Sequence, residues 1–173
     1  MNISSKFKHL TLDLICALLL ILFDQYTKNL AVEKLKDKAA YVIIDKVFVL
    51  SYLENRGAAF GMMQNKQWFF LIVSSIFIVG IVIILYRLPL TKKFYIAEVI
   101  LVFLIAGAIG NMIDRIANNY VVDFFYFVLI DFPVFNVADI YVTVSAIALF
   151  LFIMFGCKEE DLDFIKLKKS DKG

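Results

Sequence analysis

Two aspartates occupy surroundings in which an ionised carboxylate is costly. Asp123 lies within an apolar and aromatic run, and Asp139 stands at the start of a long apolar stretch, shortly after Asn136. Desolvation raises the pKa of a carboxyl group such as that of Asp123, and a nearby carboxylate raises it further. Two aspartates that lie close together share one proton, so one can act as a general base on a water molecule while the other acts as an acid. The pair therefore favours metal-free hydrolysis, provided that the fold brings the two segments together.

Few residues are available for other kinds of catalytic site or for a metal site. His9, the single histidine, lies in the short basic N-terminal segment, away from both aspartates. Cys16 and Cys157 lie in or beside apolar stretches and show no metal-ligand spacing, so we predict neither a disulfide nor a metal site. A Ser–Lys dyad built on Ser51 stays open. We expect no metal and no cofactor.

Further polar residues occur at the ends of apolar stretches, where ionisable side chains are expensive. Gly107, Asn111, Asp114 and Arg115 follow one another at spacings that place them along one stripe of a helix. The alternative is that Asp114 and Arg115 only mark the water interface, which leaves Asn111 without a partner.

Three smaller patterns each have two interpretations. Asp24 and Lys28 form an i,i+4 pair with the acid first, the favourable order on a helix; they are either a structural ion pair or a support for the site. Asn136 and Asp139 fit a capping box at a helix start, which would also orient Asp139. Asn55 is either a plain turn residue or a hydrogen-bonding group for an extended peptide.

The composition is typical of an α-helical membrane protein. Hydrophobic residues make up 62% of the chain, the mean hydropathy is +0.82, and Phe contributes 18 of 173 residues, well above the usage of soluble domains. The apolar residues fall in blocks close to the roughly 20 residues that cross a bilayer. We predict four membrane-spanning helices, at about residues 10–31, 68–86, 94–113 and 137–157.

The distribution of positive charge predicts the orientation. Lys and Arg are densest in residues 1–9, 87–93 and 158–173, and the positive-inside rule places these segments in the cytoplasm. Both termini are then cytoplasmic. Residues 1–157 form a single membrane domain, followed by a charged tail. The candidate site residues gather at the outer ends of the predicted spans.

Two segments then lie outside the cytoplasm. Tyr41–Leu53 alternates β-branched and aromatic residues and predicts a hairpin, which continues through a turn at residues 55–57 to about residue 61. Ala117–Phe135 is rich in aromatic residues but too interrupted to span a membrane. We expect this second segment to lie along the membrane surface.

Four blocks of the sequence resemble the lipoprotein signal peptidase family, the signal peptidase II of bacteria. Each block alone is a weak motif, but their order, their intervals and the four-span topology together are specific, and the resemblance covers residues 10–157. The blocks are Asp24–Lys28, Asn55–Phe60, Gly107–Arg115 with Val121–Phe124, and Phe135–Asp139.

The resemblance implies an all-α membrane fold with four transmembrane helices, a small β-sheet cradle from the Tyr41–Gly61 region, and a surface helix or loop before the fourth span. It implies a bacterial inner-membrane enzyme that removes the signal peptide from prolipoproteins, cutting before the diacylglyceryl-modified cysteine. By the same resemblance, the catalytic residues are Asp123 and Asp139, the substrate-binding residues are Asn55, Gly107, Asn111, Arg115 and Asn136, and the supporting residues are Asp24, Lys28 and Asp114.

The implied partners are diacylglyceryl-modified prolipoproteins and membrane lipids. We expect a monomer that binds no nucleic acid. The sequence departs from the family at Ile140 and Gly61, where serine is common, and the interval between Asp123 and Asp139 is short.

Two alternatives come from other functional classes. In a small ion-coupled transporter, intramembrane acids and asparagines line a pathway, so polar residues are expected at mid-depth in several spans. Here the charges gather at one surface instead, which favours an interfacial enzyme. A non-catalytic anchor protein leaves the converging aspartates unexplained.

Overall fold

A computed structural model describes residues 3–57 and 66–165. Within these residues the fold has four α-helices and three β-strands, with short 3-10 turns at Lys92–Phe94, Val128–Ile130 and Glu159–Ile165 and a π-turn at Phe152–Gly156. In chain order the elements are α1 (Ile3–Leu35), β1 (Tyr41–Ile44), β2 (Phe48–Asn55), α2 (Gln67–Arg87), α3 (Tyr95–Asn118), β3 (Val121–Phe127) and α4 (Val137–Leu151). The predicted end of the hairpin, at residues 58–61, lies outside the described residues.

Three helical segments of the described chain are long and apolar enough to cross a membrane: Gln67–Arg87, Lys92–Asn118 and Val137–Gly156. They correspond to the second, third and fourth predicted spans, with ends that differ by a few residues. Helix α1, which contains Asp13, Asp24 and Lys28, is not among these three.

Helix α3 is the centre of the bundle, because α1, α2 and α4 all pack against it. Large apolar side chains cover the outer faces of the other helices, as Trp68 and Phe150 do with exposures of 80% and 62%. Among the described residues, the largest side chains that are fully buried are polar: Asn136, Asp24 and Asp123. The bundle is therefore apolar on the outside and polar within, at the end that carries the β-sheet, which we call the sheet end.

The three strands form one antiparallel sheet in the order β1-β2-β3. The predicted hairpin is present as β1 and β2. Strand β3 was not predicted, since the sequence indicated only a surface segment over Ala117–Phe135. Its first four residues, Val121–Phe124, are all buried, so the strand lacks the alternation of apolar and polar residues that marks a half-exposed strand.

The start of the charged tail packs against the opposite end of the bundle. The ring of Phe164 lies edge-on against Phe94, with ring centroids 5.5 Å apart, and Asp161 pairs with Lys93. The described part of the tail therefore covers the turn between α2 and α3, while residues 166–173 lie outside the described residues.

Candidate active site

The fold brings Asp123 and Asp139 to opposite sides of one buried side chain, that of Asn136. The Asn136 amide nitrogen donates to Asp123 Oδ1 over 2.6 Å, and its amide oxygen accepts from the backbone N–H of Asp139 over 2.9 Å. Asn136 is completely buried, so its amide has one available orientation. The two aspartates predicted to form a pair thus meet across a single rigid residue.

Asn136 is also the N-cap of α4, and the predicted capping box is confirmed. Its backbone N–H donates to Asp139 Oδ2 over 3.1 Å, in return for the bond from the Asp139 N–H to the Asn136 side chain. Both bonds satisfy N–H groups that a helix start leaves unpaired. The cap also fixes the rotamer of Asp139, so a capping role and the predicted role in the pair are compatible.

Two more amides complete the contacts of the aspartates. Asn55, at the end of β2, donates to Asp123 Oδ2 over 2.9 Å. Its oxygen accepts from the N–H of Gly57 over 3.0 Å, so Asn55 makes the predicted turn and a contact to the pair at once. Asn111, on α3, donates to Asp139 Oδ1 over 2.7 Å. Every carboxylate oxygen of the pair therefore accepts a hydrogen bond.

Lys28 lies behind the pair and ties it to α1 and α3. Its ammonium donates to Asn111 Oδ1 over 2.9 Å and lies 2.9 Å from Asp24 Oδ2 and 3.1 Å from Asp114 Oδ2. Lys28 is 2% exposed, Asp24 0% and Asp114 4%, so solvent does not screen this network. The acid–lysine pair of α1 is thus buried and connected to Asn111, and it is not an isolated surface ion pair.

Each acid of this network also holds a backbone N–H beside one member of the pair. Asp114 Oδ2 accepts from the N–H of Val122, next to Asp123, over 3.0 Å. Asp24 Oδ1 accepts from the N–H of Ala138, next to Asp139, over 2.9 Å. Through Asp114 and Asp24, the buried Lys28 therefore positions both segments that carry the pair, namely β3 and the start of α4.

Two residues of the network had no role in the sequence-based prediction. The Gln25 amide nitrogen lies within hydrogen-bond distance of Asp24 Oδ2, the Gly110 carbonyl and Asp114 Oδ1, at 3.2, 3.1 and 3.0 Å. At Gly110, an added Cβ would lie 2.6 Å from Asp24 Oδ2. Position in the Asp24–Lys28 block was the available signal for Gln25, since a polar side chain next to a membrane-buried acid needs a partner.

Arg115 is held loosely. Its guanidinium makes long contacts to the carbonyls of Asn111 (3.4 Å) and Gly57 (3.5 Å) and lies 4.9 Å from the centre of the Phe70 ring. The buried Nε has no hydrogen-bond partner among the described residues. A buried N–H without a partner is costly, so Arg115 has donor capacity left for a carbonyl oxygen.

Burial and charge act on the protonation of Asp123. Burial is the larger of two causes that raise the pKa of Asp123 well above its ordinary value, and the negative charge of the neighbouring Asp139 is the smaller. The hydrogen bonds from Asn55 and Asn136 oppose both causes and lower the pKa. The carboxyl group therefore keeps a proton at a pH where a free aspartate is ionised. A pair that holds one proton between two carboxylates is the arrangement needed for acid–base hydrolysis.

Gly107 lies where α3 and α4 approach most closely at the site. A Cβ at this position would lie 2.6 Å from the Ala138 carbonyl oxygen and 2.7 Å from Val142 Cγ2. Because Ala138 precedes Asp139, the distance between α3 and α4 at Gly107 determines where the Asp139 carboxylate lies relative to α3. The substrate contact predicted for Gly107 stays a prediction.

We therefore expect Gly107→Ala to destabilise the protein by about 1–3 kcal/mol, the usual cost of overpacking. The matched control is Gly80→Ala on α2, where Gly80 has no packing neighbour among the described residues within 4 Å of an added Cβ, and where alanine is the better helix former. Thermal unfolding in detergent checks both. Equal unfolding temperatures for the two variants would contradict the close packing at Gly107.

Two recesses open beside Asp139, Arg115 and Thr143, which line both of them. The first, which we call the loop groove, has a volume of about 460 Å³ and is bounded by Asn55, Gly57, residues 132–135 and the first turns of α4. The second, which we call the helix slot, has a volume of about 260 Å³ and lies between α2 and α4 with α3 as its floor. A ligand whose reacting bond lies at Asp139 can extend into both.

Most of the chain is similar to known proteins. Residues 16–155 match the family model for signal peptidase (SPase) II. The chain is 42% identical to a lipoprotein signal peptidase of Brevibacillus brevis, over 83% of this chain and 95% of that protein. It is 40% identical to one from Clostridioides difficile, over the same shares of the two chains. A solved bacterial membrane enzyme, determined by the in meso method at 2.3 Å resolution, superposes with a TM-score of 0.73 at 29% identity, over 86% of this chain and 93% of that one.

Proposed function

The chain belongs to the signal peptidase II family, and from this premise we propose that Asp123 and Asp139 are the acid–base pair with which it works. The family is one of aspartic peptidases, and the chain is a membrane peptidase that removes the signal peptide from prolipoproteins. The ion-coupled transporter is not supported, nor is a Ser–Lys dyad at Ser51. The observation that carries the proposal is the direct hydrogen bonding of both aspartates to the buried Asn136.

In the proposed reaction, one carboxylate takes a proton from a water molecule as the water oxygen attacks the carbonyl carbon of the scissile peptide bond. The other carboxyl group gives its proton to the carbonyl oxygen. When the tetrahedral intermediate collapses, the C–N bond breaks and the leaving amine, that of the modified cysteine, takes the proton that came from the water. The other carboxylate takes back a proton from a hydroxyl group of the intermediate, so the signal peptide leaves with a new carboxyl group and the pair again holds one proton.

The remaining site residues divide into three proposed roles. Asn111 and Asn136 have their amides occupied by the aspartates and by each other, so we propose that they hold the pair and form its inner wall. Arg115, with its unpaired Nε, and Asn55 face the loop groove and are proposed to contact the peptide. Asp24, Lys28 and Asp114 support the pair from behind.

Cleavage of a purified prolipoprotein tests the proposed function. We expect the detergent-solubilised protein to cut the diacylglyceryl-modified precursor so that the mature product begins with the modified cysteine, as mass spectrometry of the product would show. The unmodified precursor, which lacks the lipid that anchors the scissile bond at the membrane, is expected to react much more slowly. A well-folded protein that cuts neither precursor would overturn the proposal.

The raised pKa of Asp123 predicts the alkaline limit of activity. As the pH rises through this pKa, the pair loses its shared proton and kcat/KM falls. The alkaline limb of the pH profile, the part where kcat/KM falls with rising pH, should therefore lie above the pH at which an ordinary aspartate loses its proton. Asn55→Ala removes a hydrogen bond that lowers this pKa and should move the limb to higher pH. Asn118→Ala, at an exposed position of α3, is the control and should leave the limb in place. If the alkaline limb of Asn55→Ala stays in place or moves to lower pH, it does not report the pKa of Asp123.

We also propose that α1 is the fourth span and that the sheet end faces the outside of the bacterial inner membrane, with both termini in the cytoplasm. The length of α1, 33 residues, exceeds the roughly 20 that a bilayer requires, and Asp24 and Lys28, in the half of α1 nearer the sheet end, are buried against α3. The bias of Lys and Arg toward the other end supports the orientation.

Cysteine labelling of intact spheroplasts checks this orientation. With Cys16 and Cys157 replaced by alanine, a membrane-impermeant maleimide should label Asp45→Cys, in the turn between β1 and β2, without permeabilisation. Lys8→Cys, near the start of α1, should react only after the membrane is opened. The reverse pattern would place the sheet end in the cytoplasm.

A further inference from the structure

The helix slot differs from the loop groove in the groups that it offers to a ligand. Its walls are parts of α2, α3 and α4, and a helix uses its own backbone N–H and C=O groups for internal hydrogen bonds. An extended peptide in the slot would leave its backbone groups without partners, which is costly away from water. The loop groove, by contrast, is bordered by non-helical backbone at Gly57 and residues 132–135.

The side chains of the slot change from charged and amide groups to mostly apolar ones along its length. Asn111, Arg115 and Asp139 lie at the sheet end, while Val73 and Phe77 of α2, with the small hydroxyl side chain of Ser74, form the wall farther along. A ligand that suits this gradient has a polar group next to the aspartates and a hydrocarbon portion that points away from them.

Helix α2 is long and apolar enough to cross a membrane, and the orientation proposed above places the slot at the depth of the hydrocarbon layer. Val73 and Phe77 follow the start of α2 at Gln67, so at about 1.5 Å per residue they lie roughly 9 and 15 Å below the sheet end of that helix. Both side chains are partly exposed, at 47% and 44%. A chain in the slot would thus be continuous with the surrounding lipid.

We infer that the helix slot binds one acyl chain of the substrate's diacylglyceryl group, with Val73 and Phe77 as the wall that the chain contacts. The peptide then occupies the loop groove, and the modified cysteine lies where the two recesses meet, at Asp139. This inference rests on the proposed function, because it assigns one part of the same substrate to a second recess.

The test is a pair of substrates that differ only in the length of their acyl chains. Synthetic precursor peptides with S-dipalmitoylglyceryl or S-dibutyrylglyceryl cysteine are cleaved by the parent protein and by Val73→Trp, which fills the slot. We expect Val73→Trp to lower kcat/KM for the long-chain substrate relative to the short-chain one by at least about tenfold, the scale on which apolar pockets discriminate. The change should appear mainly in KM, since the aspartates are not altered.

Val82→Trp is the matched control. Val82 lies nine residues further along α2, on the opposite face at about 100° per residue, and its exposure of 51% is close to the 47% of Val73. We expect this variant to keep the chain-length preference of the parent. Thermal unfolding of both variants in the same detergent confirms that each is folded.

Each other outcome overturns the inference. These are an unchanged chain-length preference in Val73→Trp, equal losses for both substrates, or the same change in Val82→Trp. A shift in preference for the residue before the modified cysteine, with no shift for chain length, would assign the slot to the signal peptide. If the parent protein cleaves these substrates, such results reject the acyl-chain site alone, whereas a parent that cleaves none of them rejects the proposed function.

Discussion

Replacing either aspartate of the pair by asparagine is expected to lower kcat/KM for a diacylglyceryl-modified prolipoprotein by at least about 10³-fold, within the range of general acid–base contributions. Asparagine keeps the shape of the side chain but can neither take a proton from water nor give one to the substrate. Because Asp123→Asn and Asp139→Asn each remove one half of the proton exchange, both should lose the reaction.

Asp45→Asn, in the exposed turn between β1 and β2, is the matched control and should cleave at the rate of the parent. Thermal unfolding shows whether each variant is folded. Undiminished cleavage by a folded Asp123→Asn or Asp139→Asn would leave the peptidase activity in place but would remove that aspartate from its mechanism.

The largest expected effect on stability is that of Lys28→Met. This change leaves Asp24 and Asp114, at 0% and 4% exposure, as neighbouring buried carboxylates without their cation. Breaking a buried ion pair from one side typically costs 3–5 kcal/mol, so we expect a loss of about 4 kcal/mol in the free energy of unfolding. The same change withdraws the bond to Asn111, so cleavage by any folded fraction should also fall.

Two further variants show whether the loss of stability comes from the buried network or from the removal of any positive charge. Lys34→Met removes a lysine paired with Glu33 at the surface, where both side chains are more than 60% exposed, and should leave the unfolding temperature unchanged. Lys28→Met combined with Asp24→Asn removes both charges of one pair and should recover part of the lost stability. If the double variant were no more stable than Lys28→Met alone, the loss would not come from the unpaired carboxylate of Asp24.

The membrane-length helices and the residues that gather at the site could be predicted from the sequence. Apolar stretches of the required length predicted α2, α3 and α4, because hydrocarbon excludes most polar side chains. The same cost made Asp24, Asn111 and Asp139 conspicuous where they interrupt or flank these stretches. The capping box of α4 was predicted because its two members lie three residues apart.

Strand β3 could not be predicted in this way, since a strand buried on both faces has no period-two pattern, and its partner β2 lies far away in the chain. The hydrogen bonds that hold the backbone beside Asp123 and Asp139 could not be predicted from the sequence either. Asp24 and Ala138 lie 114 residues apart, and a bond to a backbone N–H leaves no trace in the type of residue that donates it. Gln25 was overlooked for a related reason, because its three acceptors come together only when α1 packs on α3.

Asp123 and Asp139 are proposed to act as one unit with a shared proton, and the rate of the double variant Asp123→Asn/Asp139→Asn is the most direct test of this unit. Residues that act as a unit have strongly non-additive effects on catalysis. We therefore predict that the double variant cleaves the diacylglyceryl-modified prolipoprotein at the same residual kcat/KM as each single variant. A double variant slower than either single variant by the product of their separate factors would mean that the two carboxylates contribute independently, and would contradict the shared-proton pair.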